Sequence, residues 1–109
     1  MSGVSQEQFN RAVEIIQELP HDGPLQPSPE EGLYLYACYK QATSGDNMNL
    51  KPDPLDHVAT AEWNAWTQLA GTPQAEAQKA YVTKTLELLK RHSSDPATRH
   101  RLEELEATT

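Results

Sequence analysis

No stretch of this 109-residue chain approaches the roughly 18 consecutive apolar residues that a membrane-spanning helix needs, so stable membrane insertion is not expected. The first residues, Met1-Ser2-Gly3-Val4-Ser5-Gln6-Glu7, lack the basic start and apolar middle of a secretory signal. A single cysteine, Cys38, excludes an internal disulfide and a thiolate metal cluster, which suits a reducing compartment; the expected location is the cytoplasm. Positive charge is scarce: nine Lys and Arg against sixteen Asp and Glu leave a formal charge of -7. That balance repels phosphate backbones and anionic surfaces within a Debye length, so nucleic acid is not an expected partner. Any anionic ligand would need a local basic patch.

The motifs of catalysis are missing as well. Gly45, Gly71 and the other glycines form no phosphate-cradling loop. Asp46, Asp53 and Asp56 hint at a calcium loop, but Met48 and Leu50 stand where such a loop needs oxygen ligands, and a solvated loop with helix caps is the better reading. His21, His57, His92 and His100 are scattered over connectors and helix ends without an i, i+4 pair. Cys38 has no neighbouring base in sequence to lower its pKa, which makes it a packed structural thiol. No nucleophile, base and oxyanion donor can be assembled, so no catalytic residue, resident cofactor or metal site is assigned, and the expected protein is not an enzyme.

What is present is helical. With 37% hydrophobic residues the chain suffices for one domain and one modest core. Ser5-Gln6-Glu7-Gln8 has the spacing of a capping box, and Phe9, Ala12, Val13, Ile16 and Leu19 recur at helical intervals up to Pro20. His21 to Pro27 is an irregular connector. Ser28-Pro29-Glu30-Glu31 supplies an N-cap, a first-turn proline and a capping-box glutamate for a second helix to about Ala42 or Thr43, with Leu33, Tyr36, Ala37 and Lys40 on one face and Tyr39 at its edge. Gly45 to Pro54 is too long for a tight turn and reads as a crossover. Val58, Ala61, Trp63, Ala65, Trp66 and Leu69 predict a third helix closed by Gly71. Thr72-Pro73 opens a fourth and longest, with Ala77, Ala80, Tyr81, Lys84 and Leu88 on one stripe. Asp95-Pro96 caps a short extra helix through Leu102 and Leu105, ending in an acidic tail expected to add little to the core. The expected division is a four-helix domain over 1–91 and a short C-terminal extension over 92–109.

Tyr36, Tyr39 and Lys40 on the second helix, and Lys79, Tyr81 and Lys84 on the fourth, concentrate aromatic and cationic side chains. Half-buried packing tyrosines beside a solvated lysine rim are the plainer account from spacing, and pattern alone does not decide.

Three motifs go further. Tyr39-Lys40-Gln41-Ala42-Thr43 followed by Gly45-Asp46, then Trp63-Asn64-Ala65-Trp66, then Lys79-Ala80-Tyr81, resemble in order and separation the signature segments of acyl-CoA-binding proteins, and the similarity runs from about Ser5 to Leu89. The resemblance implies an all-α, up-down-down-up four-helix fold that carries long-chain acyl-CoA non-covalently in a bowl and forms an intracellular pool of it, with monomer as the default state. It implies that Tyr36, Lys40 and Tyr81 contact the CoA head group, that Tyr39 stacks near the adenine, and that Phe9, Val13 and Leu33 lie near the acyl chain. A tyrosine offers a flat apolar face and a hydroxyl, and a lysine offers phosphate a charge-assisted hydrogen bond. Trp63 and Trp66 are expected in the core.

This sequence departs from the family where Glu62 precedes the first tryptophan: relatives place there a lysine that helps bind the 3'-phosphate. Val58 and Thr60 also replace basic residues, and Gln17 a common lysine. Losing one charged hydrogen bond costs about 1.5 to 3 kcal/mol, whereas burying a palmitoyl-length chain at about 0.8 kcal/mol per methylene offers on the order of 10 kcal/mol before ordering costs. Binding is therefore expected to be retained but weaker, resting more on the chain, with Lys51 a partial substitute if it reaches. Leu25, in a connector longer than the shortest relatives have and bordering the bowl mouth, could add an apolar contact or partly cover the acyl end, but a spacer with no ligand role is the preferred reading. Two other classes stay open: a helical protein-interaction module with Tyr36, Tyr39 and Tyr81 in a groove, and a lipid carrier of the same fold with reduced CoA specificity.

Overall fold

The computed structural model describes residues 3–108, which form five helices and no strand: α1 (Gln6–Glu18), α2 (Pro29–Ser44), α3 (His57–Thr67), α4 (Gln74–Lys90) and α5 (Pro96–Ala107). They fall into two compact units. One is Ser28–Gln78, with α2, α3 and the start of α4; the other is made by the segments flanking it, with α1, the rest of α4 and α5.

In the Ser28–Gln78 unit, α2 starts where its caps dictate. The Ser28 hydroxyl accepts from the Glu31 amide at 3.1 Å and the Glu31 carboxylate accepts from the Ser28 amide at 2.9 Å, with Pro29 inside the first turn. It ends at Gly45, whose φ of 78° is a left-handed conformation costly to other residues. Asp56 caps α3 by accepting from the Ala59 amide at 3.0 Å. The spacing predicts α3 to Leu69, but it ends at Thr67: the Leu69 and Ala70 amides reach back only three residues, tightening the chain toward the turn at Gly71, φ 88°. Of the apolar positions predicted on α3, Trp66 is buried, Trp63 is half-buried rather than in the core, and Val58 is 70% exposed in the first turn.

Gln41 holds this unit together. It is 1% exposed and uses both donors and its acceptor: its amide nitrogen donates to the Asp46 carboxylate and to the Thr72 carbonyl, each at 2.8 Å, and its oxygen accepts from the Trp66 indole N–H at 3.1 Å. The same indole N–H is shared with the Gly45 carbonyl at 2.9 Å, and the Gly71 amide donates to Asp46 at 2.9 Å. The end of α2, the end of α3 and the turn into α4 are thereby tied at one buried amide. Hydrogen bonds from the Gln41 amide and the Gly71 N–H hold the Asp46 carboxyl below its ordinary range.

In the other unit, α1 is capped by Ser5, whose hydroxyl accepts from the Gln8 amide at 3.0 Å. Its buried face is Phe9, Ala12 and Ile15; Val13, Ile16 and Leu19, predicted on the inner stripe, are half-buried. A 3.6-residue period admits both three- and four-residue steps, and here the three-residue steps win. The Phe9 and Tyr81 rings meet edge to face, centroids 5.5 Å apart at 73°. The connector after α1 is anchored rather than a bare spacer: Leu25 is buried, and the Gln26 amide donates to the carbonyls of Pro20 and Gly23. On the part of α4 in this unit, Val82 and Thr85 are buried along with the predicted Tyr81 and Leu88, and Thr85 meets its hydrogen-bonding need by donating to the Tyr81 carbonyl at 2.9 Å.

The α5 helix corrects the expectation that the tail adds little to the core. Asp95 caps it, accepting from both the amide and the hydroxyl of Thr98. Thr98, Leu102 and Leu105 are buried, Leu105 to 0% exposure. The helix packs on α1, where the Gln8 side chain donates to the Leu105 carbonyl at 3.1 Å and the Arg11 guanidinium donates to the Glu104 carboxylate at 2.7 Å.

Candidate functional site

The α2 helix presents two different faces. Leu35, Cys38, Gln41 and Ala42 are buried, while Leu33, Tyr36 and Lys40 form a half-buried stripe beside the buried Ala37, and Tyr39 is 37% exposed. The residues singled out on α2 thus lie off the most buried face, where a ligand can reach them.

Two clefts open along α2 and α3. The larger, about 540 Å3, has Leu33 and Ala37 of α2 facing Ala61 and Ala65 of α3 and Leu69 beyond it, with Glu30 and Asn64 among its polar lining residues. Ala37, Ala61 and Ala65 are small, and that is what leaves the space. The smaller, about 180 Å3, is lined by Tyr36, Leu50, Glu62, Trp63 and Trp66, among others. Burial, and secondarily the Glu62 carboxylate, push the Tyr36 phenol above its ordinary pKa.

Cations sit at the tryptophans of this second cleft. The Lys40 ammonium lies 5.1 Å from the Trp66 ring centroid and the Lys51 ammonium 5.9 Å from that of Trp63, both within cation–π range. The Trp63 ring is pinned by its indole N–H, which donates to the Asn49 carbonyl at 2.9 Å. Lys51 thus lies over Trp63, one of the rings that line the cleft in which Glu62 stands.

The structure brings together Tyr36, Lys40, Lys51, Glu62, Trp63 and Trp66, and sets Leu33 in the neighbouring apolar cleft of the same helix pair. Tyr39 stands outside these two clefts. Phe9, Val13 and Tyr81 belong to the other unit, where Phe9 and Tyr81 are buried and Val13 is half-buried. Sequence reasoning missed the buried amide of Gln41 and the alanine-lined cleft; the i, i+4 pair Ala61 and Ala65 was the available signal for the latter. Among the described residues no group of three or more His, Cys, Asp or Glu gathers to hold a metal, and no helix is long and apolar enough to cross a membrane.

A family model for acyl CoA binding protein matches residues 6–85. The chain belongs to the acyl-CoA-binding protein family. Over 77 residues, 71% of this chain, it is 44% identical to acyl-CoA-binding domain-containing protein 5A of Danio rerio, and that match takes in 15% of the zebrafish protein. It is 42% identical over 78 residues to acyl-CoA-binding domain-containing protein 4 of Homo sapiens, covering 72% of this chain and 29% of the human protein. Acyl-CoA-binding protein homolog 3 of Caenorhabditis elegans is 39% identical over 77 residues, 71% of this chain and 66% of the relative. The chain thus spans less than a third of the zebrafish and human relatives.

Among solved structures, the ACBP from Moniliophthora perniciosa superposes with a TM-score of 0.93 at 40% identity, covering 98% of this chain and 100% of that one. Oryza sativa acyl-CoA-binding protein 2 does so with a TM-score of 0.73 at 33% identity, covering 83% and 96%. The all-α fold of the acyl-CoA-binding protein type, with an additional C-terminal helix, is the fold of this chain. The 98% overlap with the fungal protein is too large to leave α5 out.

Proposed function

We propose that this acyl-CoA-binding protein binds long-chain fatty acyl-CoA non-covalently along α2 and α3 and acts as an intracellular carrier and pool former, in the cytoplasm and as a monomer. The observation that carries the reading is the pairing, on one helix pair, of an apolar cleft of about 540 Å3 with a smaller cleft flanked by Lys40 and Lys51. An amphiphile with a long apolar chain and a polyanionic head is the ligand class such a pair suits. The larger volume falls inside the range of about 300 to 1,000 Å3 usual for ligand pockets.

In this reading Leu33, with Ala61 and Ala65, meets the acyl chain; Lys40 and Tyr36 meet the phosphates; and Tyr39, exposed at the end of the stripe, stacks near the adenine. Phe9, Val13 and Tyr81 are proposed as ligand contacts on the family resemblance alone. The ligand-binding domain is taken as 1–91, with 92–109 an extension that serves the fold. The protein has the role of a binder and not of an enzyme, and needs neither cofactor nor metal.

Glu62 favours a second reading, a carrier of the same fold with relaxed CoA specificity, because a carboxylate lining the head-group cleft opposes a phosphate there. Isothermal titration calorimetry separates the two. One-to-one binding of palmitoyl-CoA, with free CoA and palmitate silent, is the expected result. Equal affinity for palmitate transfers the case to the relaxed carrier, and no binding of either acyl ligand removes both.

A further inference from the structure

The crossover between α2 and α3 is rich in exposed apolar side chains. Met48 is 88% exposed, Leu50 93% and Leu55 83%, and Val58 at the start of α3 is 70% exposed, so four large apolar side chains stand in solvent within one short segment. Over the same stretch the polar side chains bond back to the protein. Asp46 accepts from Gly71 and Gln41, Asp53 from the Leu55 amide at 2.9 Å, and Asp56 from the Ala59 amide. The Asn47 side chain accepts from the Asn49 amide at 2.9 Å and donates to the Thr67 hydroxyl at 3.0 Å. The three aspartates are exposed as well, so carboxylates and aliphatic side chains share this surface, the carboxylates being engaged in local turns and a helix cap.

We infer that this crossover docks on the surface of a zwitterionic lipid bilayer, with Met48, Leu50, Leu55 and Val58 entering the interface. The chemistry of the neighbours agrees. Trp63, half-buried and hydrogen-bonded to the crossover at Asn49, is the residue type favoured at the boundary between head groups and acyl chains, and Lys51 beside it is a side chain able to keep its ammonium at head-group level. Charge selects the kind of surface. Lys51 is the one Lys or Arg between Gly45 and Asp56 against three aspartates, and the whole chain carries -7, so an anionic leaflet is repelled and a neutral one is not. Shape argues against a protein partner: three of the four apolar groups sit on an irregular connector, which offers neither a strand edge nor a helix face, whereas a lipid interface accepts apolar side chains without shape complementarity. Leu50 belongs both to this patch and to the cleft of Tyr36 and Trp63, so docking would bring the mouth of that cleft to the bilayer. The inference stands without the ligand reading, since docking is measured with no ligand added.

The test uses the full chain and sucrose-loaded phosphatidylcholine vesicles in a sedimentation assay, beside the double variant Met48→Asp/Leu55→Asp, whose two positions lie outside both clefts. The wild type is expected to pellet with the vesicles, insensitively to salt and less well when phosphatidylserine is added, with Trp63 fluorescence quenched by brominated acyl chains. The variant is expected to partition about tenfold less, two side chains having left the interface, with an unchanged thermal midpoint. Failure of the wild type to pellet, equal pelleting of the variant, or uptake that rises with phosphatidylserine overturns the inference. So does a wild type that ignores vesicles but self-associates through this patch in analytical ultracentrifugation.

Discussion

The α1–α5 pair and the α2–α3 pair solve opposite problems with the same kind of element. Between α1 and α5 the helices close: Leu102 and Leu105 are buried, and Arg11 reaches Glu104. Along α2 and α3 they stay open. Alanines leave a cleft where larger residues would have filled it, and the pair is fastened instead at the buried Gln41 amide. One region gains stability by burying apolar surface; the other concentrates its ties at one end so that its face remains accessible.

The contrast breaks most severely at Leu105. If α5 is part of the core, Leu105→Ala opens a cavity and lowers the unfolding free energy by about 3 kcal/mol in urea titrations, whereas a peripheral appendage would lose only a few tenths. An unchanged urea midpoint would return α5 to the status of a loose tail.

Gln41→Ala comes next, at about 2 kcal/mol, because it leaves the Asp46 carboxylate and the Thr72 carbonyl each short of a donor while Trp66 keeps the Gly45 carbonyl. The variant should also alter the response to acid. A carboxyl whose folded pKa is depressed contributes stability above its unfolded pKa and loses that contribution as pH falls through the lower folded value. Asp46 is such a group, with the Gln41 hydrogen bond its largest cause, so Gln41→Ala should flatten the loss of stability as pH falls through and below the ordinary carboxylate range. An identical acid limb in the two proteins would mean that Asp46 is held by other bonds.

Much of this comparison was legible in the sequence, and the gaps have physical reasons. Caps are local, so Ser28-Pro29-Glu30-Glu31 and Asp95-Pro96 located helix starts to the residue. The Tyr39-Lys40-Gln41 segment pointed, through resemblance, to the right family. What failed was non-local. Periodicity marks an apolar stripe only to within a position, which is why Ile15 rather than Val13 or Ile16 completes the buried face of α1. Nothing in Leu102-Glu103-Glu104-Leu105 says that α1 lies against it. The role of Gln41 requires partners drawn from three separate segments, and the exposure of Val58, counted among the apolar positions of α3, depends on what stands opposite it.

A smaller effect is expected in the open region. Glu62→Lys turns a repulsive group in the cleft of Tyr36 into an attractive one and should tighten palmitoyl-CoA binding by about tenfold, or 1.4 kcal/mol. A spectrophotometric titration reports independently of ligand. The Tyr36 phenol should move back toward its ordinary pKa but not reach it, since burial is the larger cause of its elevation. Unchanged values in both measurements would mean that the Glu62 carboxylate faces away from the bound head group.

The smallest effect belongs to the most conspicuous polar tie. Arg11 contacts Glu104 of α5 as well as Glu14 and Glu18 of its own helix, yet the side chains of Arg11 and Glu104 retain 27% and 41% exposure. Exposed ion pairs in water are offset by side-chain entropy and screened by salt, so a double-mutant cycle over Arg11→Ala and Glu104→Ala should give a coupling of about 0.5 kcal/mol that shrinks further at high ionic strength. Set against about 3 kcal/mol for Leu105→Ala, such a value would mean that burial fastens α5 to α1 while the ion pair only orients it. A coupling above about 2 kcal/mol, insensitive to salt, would reverse that assignment and make the closed region, like the open one, a structure held by a polar clasp.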